Sequence, residues 1–204
     1  MLLAAGLVAL VVYPSPVEAT VEEQRARLPP PAACPDDIEG TWIALRYEPH
    51  YNPPEWYHVT LDIHRTKDSK VKIEGTMLVH YWLGGPKDVR PPPCRPGGYD
   101  RTVLQPSTGT VINGRVQFDA KSWRQVEAPC GGSEDRQYNL DHYSGTIDPK
   151  IQEFQSVNND GGRAVNEPAV FRRVKCFEAE RRVVTDVTPP PFTPPRRASC
   201  GRGW

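Results

Sequence analysis

The sequence predicts an all-β protein: an eight-stranded antiparallel up-and-down barrel, or a closely related sandwich, disulfide-bonded and with extended N- and C-terminal arms. Three observations carry this. From Gly40 to Val174 apolar residues recur at every second position, not at the 3.6-residue spacing of a helix. Turn-forming residues punctuate the pattern, above all Asn113-Gly114, which suits the positive φ angles of a type I′ hairpin turn. The 23 prolines, too many for the interior of a fold, cluster outside the alternating stretches, at 29–31, 91–93 and 189–195.

Gly40-Thr41-Trp42 opens the first predicted strand, 40–48. In the second, 56–65, Tyr57, Val59, Leu61 and Ile63 alternate with His58, Thr60, Asp62 and His64. Val71, Ile73, Met77 and Val79 carry the third, 71–83, after the polar turn 67–70. The fourth, 101–112, contains Pro106, which removes a ladder donor and predicts a bulge or a split. Val116, Phe118 and Ala120 face opposite to Arg115, Gln117, Asp119 and Lys121 in the fifth, 115–123. Strands 137–147 and 151–158 meet at Asp148-Pro149-Lys150, and 163–174 follows the turn 158–162, rich in Asn, Asp and Gly. No segment presents an amphipathic helix of ten or more residues. A sheet this long with one apolar face closes into a barrel or folds into a sandwich.

The ends divide the chain further. Residues 2–13 form an apolar run of signal-peptide length, too short for an ordinary membrane span, and Val17-Glu18-Ala19 offers a cleavage site before Thr20. No Lys or Arg precedes the run, so a short retained membrane anchor is the alternative for 1–19. A Pro-rich lead, 20–39, then reaches the barrel domain, 40–176, and a Pro/Arg-rich tail, 177–204, follows it. Five cysteines, all beyond the apolar run, point to an oxidising, extracytoplasmic setting: periplasm, lumen or secretion. In an up-and-down closure Cys34 and Cys176 fall at one end, and Cys94 and Cys130 in long loops at the other. Of the three pairings four cysteines allow, this arrangement favours Cys34–Cys176 and Cys94–Cys130; Cys200 is left over.

The Gly40-Thr41-Trp42 opening, the up-and-down strand order and the closing Phe171-Arg172-Arg173-Val174 resemble calycin-type barrels, the lipocalin and avidin group. In that group the opening Trp sits at the closed end and a basic residue near the last strand packs over it. The resemblance therefore implies Trp42 beneath Arg172 or Arg173.

Twenty-five basic residues balance 25 acidic ones, so nothing favours nucleic acid as a partner. His58, Asp62 and His64 share a strand face and are of metal-ligand type, but their apolar alternating neighbours make that face a solvated outer one. No nucleophile, base and oxyanion-donor set stands out, and no metal or cofactor is predicted. An outer-membrane barrel would need a continuous lipid-facing apolar band, which strand 151–158 does not provide on either face. Large aromatics at the long-loop end, Tyr51, Trp56, Trp82, Tyr99 and Trp123, are the candidate binding residues. Pro191, Phe192, Pro194 and Arg196 make the tail a stiff extended arm able to lie along a partner.

These features predict a non-catalytic accessory or scaffolding subunit docked on a membrane-associated protein complex, with a possible N-terminal membrane tether. The alternative is a calycin-like carrier of a small apolar ligand; an enzyme using the loop end is the third and least supported expectation.

Overall fold

A computed structural model describes residues 16–35, 37–131 and 138–177, with backbone only for 16–20. The apolar run up to residue 15, the tail residues Pro191, Phe192, Pro194 and Arg196, and Cys200 lie outside the described residues.

Among the described residues the alternating stretches form nine antiparallel strands: β1 (Gly40–Glu48), β2 (Glu55–Arg65), β3 (Lys72–Leu83), β4 (Asp100–Ile112), β5 (Arg115–Ala120), β6 (Arg124–Glu127), β7 (His142–Asp148), β8 (Glu153–Asn159) and β9 (Val165–Cys176). Eight of them close into a barrel in the order β3-β2-β1-β9-β8-β7-β5-β4, with β4 pairing back onto β3. The ninth, β6, follows β5 along the same edge of β4, paired with Thr102–Leu104.

Besides the start of β7, which lies at His142 and not at the expected 137, two details differ from the sequence reading. Pro106 does not break β4, which runs through it with Pro106 opposite Thr76 of β3. The partner strand breaks instead: β5 pairs with Ser107–Ile112 and ends at Ala120, and β6 resumes against the first half of β4 in a shifted register. A proline has no N–H to give a second neighbour, so the discontinuity falls beside it. At the hairpin between β4 and β5, Asn113 and Gly114 have φ of 50° and 75°, as a type I′ turn requires.

The second difference is a helix. The sequence shows no amphipathic stripe, yet α1 (Pro16–Arg27) forms a twelve-residue helix that runs through the Ala19–Thr20 bond. Its described residues are mostly good helix formers, supported by Glu22–Arg25 and Glu23–Arg27 pairs one turn apart. It docks by polar anchors, which hydrophobic periodicity does not register. β1 pairs with β9 only from Gly40 to Ile43, and above that point the two strands part. At this seam the buried Gln24 takes the place of a neighbouring strand: its amide nitrogen donates to Pro168 O (3.0 Å) and its oxygen accepts from Val170 N (2.9 Å). Arg25 and Arg172 both reach the buried Glu153 carboxylate. Gln24→Ala strips partners from two groups of β9, and we expect a loss of about 1–3 kcal/mol in urea unfolding. A loss below the error of the measurement would show that the helix does not seal the seam.

The short turns gather at one end, where the interior is apolar. Trp42, Ile63, Phe154 and Phe171 are fully buried there, with Phe154 edge-on to Trp42 and stacked on Phe171. Trp42 Nε1 donates to Ile38 O, and the buried guanidinium of Arg173 lies 4.7 Å over its ring. Of the two candidate arginines, then, Arg173 covers the tryptophan, an arrangement compatible with a calycin-like barrel.

Both disulfides join as expected: Cys34–Cys176 at this closed end and Cys94–Cys130 between the long loops at the other. Such bonds belong to an oxidising, extracytoplasmic environment. Among the described residues no helix is long and apolar enough to cross a membrane.

Candidate functional site

Along the barrel interior the character of the inward positions changes. On β1 the inward sequence is Trp42, Ala44, Arg46, Glu48; on β2, read toward the same end, it is Ile63, Leu61, Val59, Tyr57, Glu55. On β4, Gln105 is fully buried, and Asn158 takes the corresponding place on β8. A period-two strand that keeps its phase thus brings ionised and amide groups into the mouth of the barrel. Of these, Arg46, Tyr57, Glu55 and Asn158 line a chamber of about 310 Å³ together with Tyr51, Tyr81, Tyr99, Tyr138, Asp141 and Arg163.

Three hydrogen-bonded groups organise the lining. The first centres on Asp141, a buried carboxylate that accepts from Tyr138 Oη (2.7 Å), Gln105 Nε2 (2.6 Å) and Asn158 Nδ2 (2.6 Å). Three donors on one carboxylate make a charged acceptor stable inside the barrel. Burial, and then the Asp141 charge, push the Tyr138 phenol well above its ordinary pKa, so it stays a donor.

The second centres on Arg46. Its guanidinium lies 3.3 Å from both Glu48 and Glu167, and Tyr51 Oη donates to Glu167 at 2.9 Å. Burial raises the pKa of the Glu48 carboxyl, an effect that Arg46 opposes. His50 adds a ring nitrogen 3.1 Å from Glu167. Ligand atoms of Glu48, His50 and Glu167 lie within 4.8 Å of one another, but Arg46 already sits between the two carboxylates as their counterion. Two buried atoms beside the chamber floor, Arg46 Nε and the Tyr143 hydroxyl, have no hydrogen-bond partner among the described residues.

The third centres on Glu55, which is buried at the start of β2. It accepts from Tyr57 Oη, and Arg163 from the turn between β8 and β9 pairs with it at 2.9 Å. The Arg163 guanidinium also lies 4.0 Å over the Tyr51 ring. Burial first, then the Glu55 charge, raise the Tyr57 phenol far above its ordinary pKa. Tyr57 and Tyr81 stack at 5.8 Å, and Tyr81 meets Tyr99 edge-on at 5.6 Å, forming an aromatic wall.

The five aromatics singled out in the sequence separate into two sets. Tyr51 and Tyr99 line the chamber. Trp56 and Trp82 stack on each other at 6.3 Å on the outer side of β2 and β3. Their indole nitrogens donate to Gly85 O and Asp88 O, which pins the loop after β3. Trp123 packs against Tyr138 at 5.7 Å, behind the chamber wall. The histidine face on β2 is not gathered around one point: Thr41 Oγ1 donates to Asp62, His64 stacks on Phe177, and His58 lies toward His80, its pKa lowered by burial and then by that neighbour.

Arg46, Glu55, Asp141, Asn158 and Arg163 are not among the site residues the sequence suggested. A signal existed for the strand residues: continuing the inward phase from Trp42 and Ala44 lands on Arg46 and Glu48. Charges at the inward phase of a barrel strand call for partners or a function. Arg163 gave no such signal, since it lies in a turn. Comparison with protein-family models, curated proteins and solved structures returns no match.

Proposed function

We propose that this barrel is a binding protein for a small polar ligand held in the chamber at its mouth. The observation that carries the reading is the convergence of phenols, guanidinium groups and carboxylates on one half-enclosed space of about 310 Å³ above a packed apolar core. Small-ligand sites are concave and use a few convergent polar groups to fix orientation. The calycin-like shape suits this role, with the binding end opposite the Trp42–Arg173 closure. A polar ligand fits the lining better than an apolar one, because the Leu61, Met77 and Phe118 side chains already fill the interior below.

The test is thermal unfolding of the full chain against a panel of small cationic, anionic and neutral polar compounds. It is run beside Ala164→Phe, which places a ring at the chamber rim. A compound at a hundred times its Kd stabilises by about 2.7 kcal/mol. The expected result is a polar compound that raises the Tm of the wild type and not that of the variant. Stabilisation by none of the panel, or by apolar compounds alone, would refute the reading.

An accessory role on a membrane-associated complex is a separate proposal. Its support is the arms, and the Pro/Arg-rich tail lies outside the described residues. Co-migration of the native protein with a larger complex would favour it; a monomeric native protein would count against it.

A further inference from the structure

Resting on the reading of the chamber as a small-ligand site, we infer that the group it recognises is a cation of guanidinium or ammonium type. Arg163 occupies that position in the unliganded protein as a displaceable internal stand-in.

The argument begins with Glu55. Its side chain is 2% exposed, and a carboxylate so placed requires a positive partner. No residue near it in sequence supplies one. The partner comes instead from Arg163, 108 residues away in the turn between β8 and β9. The guanidinium lies on the Tyr51 ring at 4.0 Å, while the Tyr57 and Tyr99 hydroxyls are directed at the same carboxylate. A carboxylate flanked by aromatic faces is the arrangement that recognises guanidinium and quaternary or primary ammonium groups. The surrounding charge is compatible with this: the lining itself balances Glu55, Asp141 and Asp160 against Arg46, Arg101 and Arg163, and behind it Glu48 and Glu167 both bind Arg46.

The two arginines that meet these carboxylates differ in how they are held. Arg46 is 3% exposed, rises from the middle of the barrel wall and is bound by two carboxylates. The Arg163 side chain is 53% exposed and reaches in from a turn. That turn is tied by its own bonds, since Asp160 Oδ1 accepts from both Gly162 N and Ala164 N, and Gly161 supplies the positive φ of 70°. The side chain can therefore swing to solvent while the turn keeps its shape. A ligand cation would then take over the Glu55 carboxylate and the Tyr51 face.

Isothermal titration of the full chain with ethylguanidinium and ethylammonium chloride tests this, with sodium chloride as the ionic-strength control and inorganic phosphate as the anionic probe. Wild type should bind an organic cation, and Arg163→Ala should bind it about three- to tenfold more tightly, because no internal group has to be displaced. Glu55→Gln in the Arg163→Ala background should abolish binding. In wild type, saturation with the cation should speed modification of Arg163 by phenylglyoxal. Arg163→Gln keeps most of the side-chain volume without the charge and replaces Arg163→Ala should the smaller variant not fold. Binding by the variant alone would overturn the inference, because Arg163 would then be a fixed structural partner of Glu55. Equal affinity in wild type and variant would overturn it too, by placing the cation elsewhere. Phosphate binding that Ala164→Phe blocks, without cation binding, would overturn the cation assignment and leave the small-ligand reading standing. If no compound of any charge binds, both fail.

Discussion

Replacing Cys34 and Cys176 together by serine should lower the stability of the barrel by about 5 kcal/mol. The bond spans 142 residues, and the loss follows from the entropy the unfolded chain regains when a loop of that length is released. The bond also holds the lead to the barrel at its closing pair of strands, where Gly40 lies opposite Cys176 and Ala32 N donates to Arg173 O. Serine at Cys94 and Cys130 releases a span of only 36 residues between loops, and the expected loss there is smaller, about 4 kcal/mol. Urea unfolding of the two double variants measures both. A larger loss for the Cys94–Cys130 pair would mean that native contacts at the mouth, and not loop length, set the contribution.

Phe118→Ala should cost about 3–5 kcal/mol, the usual range for truncating a fully buried aromatic ring. Phe118 has no exposed surface and belongs to the apolar cluster that fills the barrel below the chamber. Its removal should leave the affinity of any mouth ligand within about twofold, since distant, independent sites add. Equilibrium unfolding read beside ligand titration separates the two effects. Altered ligand uptake with little loss of stability would place Phe118 in the ligand space and contradict a packed floor.

The strands were legible because their signal is local. Period-two alternation, the Asn113-Gly114 turn and the Asp-, Asn- and Gly-rich connections locate the barrel strands to within three residues, except the start of β7, which lies at His142 and not at 137. Closure also made the disulfides legible, because up-and-down order places Cys34 near Cys176 and Cys94 near Cys130 before any contact is known. The helix α1 escaped because it is held by Gln24 and Arg25, not by an apolar stripe. The β5–β6 break escaped because Pro106 acts on its neighbour and not on its own strand. The chamber escaped for a related reason. Attention to large aromatics found Tyr51 and Tyr99, but it also took in Trp56 and Trp82, whose rings fix a loop. The charged strand residues Arg46, Glu48 and Glu55 are visible only once each strand's inward phase is followed to the mouth, whereas Arg163, in a turn, and Asp141, just before β7, follow no strand phase.

The measurement closest to the central claim is native mass spectrometry of the full-length protein recovered from its source, beside the Ala164→Phe variant. The account predicts a single small polar molecule on the wild type, absent from the variant that carries a ring at the chamber rim. The bare polypeptide mass in both proteins, an apolar adduct, or an adduct that survives Ala164→Phe would contradict it.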